Sequence, residues 1–185
     1  MRTIHLLLSF AVLPIFIACS STVLKDQEAI SMIRQAYGFP KPISVDISGF
    51  TGIPANSPLG LEINRLVREG YLIPGGYWEG HKPTEKGKDL VEKCVWNGIY
   101  KSWSVFRPFA YKKDVTRIID KRVDKSNGTV VVECELTLTP TPYFEHLKKI
   151  DPGTIENALS GQSFQPVSRA TATFQRWEKS WRIVR

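Results

Sequence analysis

Three cysteines in 185 residues are too few to build a disulfide scaffold. Histidine is equally scarce: outside the first eighteen residues only His81 and His146 remain, and neither stands at a metal-binding spacing. Cys94 and Cys134 are not part of a C-x-x-C motif. The chain has no Gly-x-Ser-x-Gly elbow, no phosphate-binding glycine loop and no paired-carboxylate motif. The expectation is a non-enzymatic protein that takes no metal and no cofactor. No apolar run reaches the roughly 20 residues a spanning helix needs, which excludes a multi-span membrane protein.

What is present is ordinary globular material. Hydrophobic residues make up 42% and charged residues 23%, so intrinsic disorder and collagen-like repeats are excluded as well. The length suits one generous domain or two small ones. Lys and Arg number 25 against 18 Asp and Glu, for a formal charge of +7. That surplus is unevenly placed. Residues 19–98 carry nine basic and nine acidic side chains, whereas residues 99–185 carry fifteen and nine.

The N-terminus reads as an address. Arg2 supplies a positive start, and residues 4–18 are almost wholly apolar, broken only by His5, Ser9 and Pro14. The run closes on Phe16-Ile17-Ala18-Cys19, followed by Ser20-Ser21-Thr22, with phenylalanine where such leaders usually carry leucine. This resembles the lipobox of bacterial lipoproteins. The resemblance implies that residues 1–18 are a signal peptide and that the Cys19 thiol takes a diacylglycerol. Cys19 then becomes the acylated N-terminus, and the lipid bilayer is the first partner. Two or three acyl chains, at about 0.8 kcal/mol per buried methylene, give firm anchoring. In a Gram-negative cell, Ser20 after the cysteine implies sorting to the outer membrane, facing the periplasm. The plainer alternative is a secreted protein cut near Ala18, with Cys19 an unmodified thiol.

Residues 19–98 read as a helical half. Ala29, Ile30, Ile33 and Ala36 recur at helical spacing and predict a helix over 25–37, ended by Gly38 and Pro40. A second helix is signalled by Ser57 as N-cap, Pro58 at the first position and an apolar face of Leu59, Ile63, Leu66 and Val67, with Gly70 as its stop. Short strands are expected at 71–73 and near 77–82, around the Pro74-Gly75-Gly76 turn. Thr84 is then expected to cap a third helix to about Asn97, with Leu90, Val91, Cys94 and Val95 inward and Gly98 as its stop.

This order, with Ile63-Asn64-Arg65-Leu66-Val67-Arg68-Glu69-Gly70-Tyr71-Leu72 followed by Thr84-Glu85-Lys86-Gly87-Lys88, resembles the second half of a winged-helix domain. Members of that family read DNA with the helix matching 58–69. Here Arg65 and Arg68 are offset by Glu62 and Glu69, so the phosphate-neutralising excess that DNA binding draws on is missing. An exported lipoprotein also meets no genome. Nucleic acid is therefore excluded as a partner, and the half is expected to serve packing or protein contact.

Residues 99–185 read as an antiparallel sheet with short helices, which makes the whole chain α+β. A strand is expected over 111–123, a turn at Asn127-Gly128, and a strand whose Val130, Val132, Cys134, Leu136 and Leu138 face inward. Asn127 also opens a glycosylation sequon, but the turn chemistry explains it. Short helices over 143–150 and 152–159 follow, the second capped by Asp151, and a hairpin over 167–184 closes the chain. That hairpin resembles the close of an NTF2-like or cystatin-like sheet. The resemblance implies a second functional reading, a small-ligand pocket or minor enzyme beneath the sheet.

Two further expectations concern particular residues. Cys94 and Cys134 face inward, and in an oxidising envelope they either bridge or remain two buried thiols. Lys113, Arg117, Lys121, Arg122, Arg169, Arg176 and Arg182 would form one cationic sheet face if their strands were neighbours. Trp103, Phe106, Phe109, Tyr111, Trp177 and Trp181 interleave with them, as core or as binding anchors. The partner expected for such a face is an envelope protein or an anionic envelope polymer or lipid.

Overall fold

The computed structural model describes residues 23–47, 52–75 and 80–184. The leader 1–18, Cys19 and residues 77–79 of the expected second short strand lie outside the described residues. In chain order the elements are α1 (Asp26–Tyr37), β1 (Lys41–Ser44), β2 (Ile53–Pro54), α2 (Pro58–Arg68), β3 (Leu72–Ile73), β4 (Lys82–Pro83), β5 (Val91–Asn97), β6 (Ser102–Asp124), β7 (Thr129–Pro140), α3 (Pro142–Ile150), α4 (Pro152–Ser160), β8 (Val167–Trp177) and β9 (Ser180–Val184).

The fold is α+β on a curled antiparallel sheet whose spine is β6, 23 residues long. β2 and β5 pair with its first residues, β1 with its middle, and β7 with everything from Tyr111 onward. β8 and β9 extend the sheet beyond β7. The β6–β7 connection uses the expected Asn127-Gly128 turn. Gly128 has φ +62°, and Asp124 accepts hydrogen bonds from the Ser126 amide (2.9 Å) and the Asn127 side chain (2.8 Å). β7 then alternates as its sequence demands, with Val130, Val132, Cys134 and Leu136 buried.

Two apolar clusters divide the length of β6. The first gathers Val45, Ile53, Leu59, Ile63 and Leu66 with Cys94, Trp103, Phe106, Ala110, Phe144, Leu147 and Ile155. The second sets Ala29, Ile30 and Ile33 of α1 against Val115, Val130, Val132, Cys134, Ala172 and Phe174. The inward residues of β7 and β8 thus share one cluster with α1. The caps are local and legible: Ser57 Oγ accepts from Gly60 N at 3.1 Å, Thr141 Oγ1 from Phe144 N at 3.1 Å and Asp151 Oδ1 from Thr154 N at 3.2 Å.

One element departs from its expected type, and with it goes the winged-helix order. Residues 84–97 form a turn and then β5, with no helix. Thr84 caps nothing; its hydroxyl donates to the Gly70 carbonyl at 2.8 Å. A Cβ on Gly87 would lie 2.0 Å from the Tyr71 carbonyl oxygen, so two backbones meet where a helix was expected. The physical reason for the misreading is a bulge in β5 between Val91 and Lys93. It lets Val91 and Cys94, three residues apart, both face inward, which imitates helical spacing. The expected division at 98/99 accordingly falls inside the β5–β6 hairpin, and the first cluster draws on both sides of it.

The two thiols are not bridged. Cys94 and Cys134 are free and buried in different clusters. Burial raises the pKa of both thiols, so neither is a ready nucleophile.

Candidate functional site

The seven cations of the expected basic face do not assemble into one. On the open side of the sheet, Arg117 pairs with Glu135 (2.8 Å), Arg169 with Glu133 (3.1 Å) and Arg122 with Asp120 (2.9 Å). Lys121 pairs with Asp26 and donates to the Leu24 carbonyl at 2.7 Å. Arg182 stacks over Trp177, 5.1 Å from the ring centroid. Lys113 lies opposite the inward Leu138, and Arg176 follows buried Phe174 by two residues, so both belong to the other side. The carboxylates of β7 stand opposite the arginines of both its neighbours, and the face carries mixed signs. The expected aromatic anchors divide similarly: Trp103 and Phe106 are core, while Trp177 is exposed.

Around α2 the fold assembles polar groups that the sequence leaves scattered. Helical periodicity gives α2 three stripes. Leu59, Ile63 and Leu66 enter the core. Glu62, Arg65 and Glu69 form a second stripe, in which Arg65 donates to both Glu62 oxygens, at 2.8 and 2.6 Å, and to Glu69 at 2.5 Å. The Glu62 side chain is only 6% exposed, and His146 Nε2 of α3 lies 3.7 Å from it. Burial and the Glu62 charge push the nearby Tyr143 phenol far above its ordinary range. With both oxygens held by Arg65, Glu62 is a charge-compensated brace.

The third stripe, Asn64, Val67 and Arg68, forms one wall of an open groove of about 300 Å³, with His81, Trp96 and Trp103 completing it. Trp96 and Trp103 are Cα partners across the β5–β6 hairpin, which is turned by Asn97; its side-chain oxygen accepts from the Ile99 amide at 3.0 Å and the Tyr100 amide at 3.3 Å. Their ring centroids lie 5.0 Å apart in edge contact. His81 stands edge-on to Trp103 on its own account, at 4.9 Å. Gly80 makes that placement feasible. At φ +73° a Cβ would lie 2.6 Å from the Cys94 carbonyl oxygen, and only glycine lets the His81 amide donate to that oxygen at 2.7 Å.

Two nitrogens of this groove, Trp103 Nε1 and His81 Nδ1, are buried without a hydrogen-bond partner among the described residues. Each such group costs about 1–3 kcal/mol, as does the Tyr143 hydroxyl in the first cluster, which is also without a partner among the described residues. Burial also pushes the His81 imidazole below its ordinary value of 6.5. Below that pH the unfolded chain takes a proton before the folded one does, so stability is expected to fall as pH drops from 6.5 toward the folded pKa. Urea midpoints at about pH 7.5 and 5.5 check this, since His81→Gln should show a smaller decline than the wild type. Equal declines would refute the buried neutral imidazole.

Neither Arg68 nor Trp96 is among the expected site residues, and His81 entered only as a histidine outside any metal-binding spacing. The dipeptide Asn97-Gly98 would not have supplied the Trp96–Trp103 pairing: a two-residue turn there pairs Trp96 with Ile99, whereas the loop over 98–101 pairs Asn97 with Ser102 and Trp96 with Trp103. No family model, curated protein or solved structure matches the chain.

Proposed function

We propose that the protein is a lipid-anchored component of the bacterial envelope, held by an acylated Cys19, whose folded part binds a partner without catalysing a reaction. The partner is an envelope protein or an anionic envelope polymer or lipid, and the contact surface is the groove between α2 and the β5–β6 hairpin. The observation that carries the reading is that groove, which collects aromatic rings, an exposed guanidinium and two buried nitrogens without a partner among the described residues. The chain length fits an anchored domain. Leu24 is buried in the second cluster, five residues after Cys19, and at about 3.5 Å per residue the anchor is at most roughly 18 Å away.

Two measurements test the proposal. The mature N-terminus should carry acyl chains on Cys19 by mass spectrometry, and an unmodified thiol there refutes the anchor. Protein extracted from membranes in detergent should co-purify with an envelope component in a salt-sensitive manner. Trp96→Leu and Arg68→Gln should each lose that component, whereas Arg117→Gln should keep it. Retention by both groove variants refutes the groove as the contact surface.

A further inference from the structure

Resting on that reading of the groove, we infer that its ligand is a sugar ring bearing a carboxylate, within an acidic polysaccharide. Trp96 is half-buried and stands in edge contact with Trp103, which is 3% exposed and forms the floor. An indole surface of this kind complements a flat apolar face. Trp103 Nε1–H can only donate, and a guanidinium carries five N–H donors and no acceptor. Arg68 is exposed and has no carboxylate partner among the described residues. No Asp or Glu is among the described residues lining the groove.

Among the described side chains of the lining, donors are thus in excess, acceptors scarce and the net charge positive. A cationic ligand is disfavoured directly. A peptide is disfavoured because each residue would bring a backbone N–H needing an acceptor, while the Asn64 amide already donates to Ala55 O at 3.1 Å and so has its orientation set. A pyranose meets the conditions. One ring face presents C–H groups to the indole, and its rim carries hydroxyl and ring oxygens that accept. A carboxylate on the ring takes the fork of Arg68, a geometry that guanidinium matches bidentately. The volume of about 300 Å³ sits at the lower end of small-molecule sites, enough for one ring of a longer chain that runs on into solvent.

The test is calorimetric titration of the membrane-extracted protein with a glucuronate-containing tetrasaccharide and, separately, with a neutral glucose tetrasaccharide. The acidic chain should bind at least tenfold more tightly. Trp96→Leu, which keeps apolar bulk and removes the ring face, should weaken binding at least tenfold. Arg68→Gln should bring the two saccharides to similar affinity. Trp177→Leu, a change to an exposed aromatic on β8 outside the groove, should alter nothing, and unchanged thermal unfolding of the groove variants shows that they are folded. Absence of heat with both saccharides, or equal affinity in wild type and Trp96→Leu, overturns the inference. If neither saccharide binds while the groove variants still lose their envelope component, the sugar assignment fails and the binding role stands.

Discussion

Truncating Phe106 to alanine is expected to destabilise the protein by about 3–5 kcal/mol, the range for removing a buried aromatic ring and leaving a cavity. Phe106 is fully buried in the first cluster and faces Cys94 across the β5–β6 ladder, and its carbonyl accepts the Ile47 amide at 3.0 Å. It therefore supports the strand that carries Trp96. In a chain of this size the loss corresponds to a melting temperature lower by roughly 6–20 °C. Urea unfolding with a common slope for both proteins measures it, and Phe106→Leu should cost markedly less because most of the volume is kept. A loss below about 1 kcal/mol for the alanine variant would mean that the cluster is not packed as described.

The second large effect is expected at the brace on α2. Arg65→Met removes both hydrogen bonds to a Glu62 side chain that is 6% exposed and leaves its charge buried. Breaking a buried pair in this way costs up to about 3–5 kcal/mol. The Arg65 side chain is itself 34% exposed, so solvent screens part of the loss and about 2–3 kcal/mol is expected. Removing both charges should be far milder. Glu62→Leu combined with Arg65→Met leaves no unpaired ion, so the double variant should be more stable than Arg65→Met alone. Additive losses across this cycle would show that the two residues act independently.

Much of the fold was legible because its signals are local. Ser57, Pro58 and Gly70 mark α2, Asp151 and Pro152 start α4, and the alternation of Val130 to Leu136 defines β7. Each of these depends on residues within a turn or a pleat of one another. β5 was misread because a bulge changes the period of its inward residues, and a bulge is set by the partner strand. The basic face failed for a related reason. Composition counts Arg117, Arg122 and Arg169 as surplus charge, but the register places Glu135, Asp120 and Glu133 within ion-pair distance of them.

The groove marks the same boundary. That the chain is α+β in class and without a recognised catalytic motif follows from residue types and their short spacings. That Arg68, His81, Trp96 and Trp103 meet does not, for they come from a helix, the residue before β4 and two strands. Their meeting depends on the long β6 ladder and on backbone approaches at Gly80 and Gly87 that leave no room for a Cβ. Caps, turns and periodicity act over a few residues, whereas register and close approach are decided by the packing of segments far apart in the chain. The aromatic groove belongs wholly to that second kind of information.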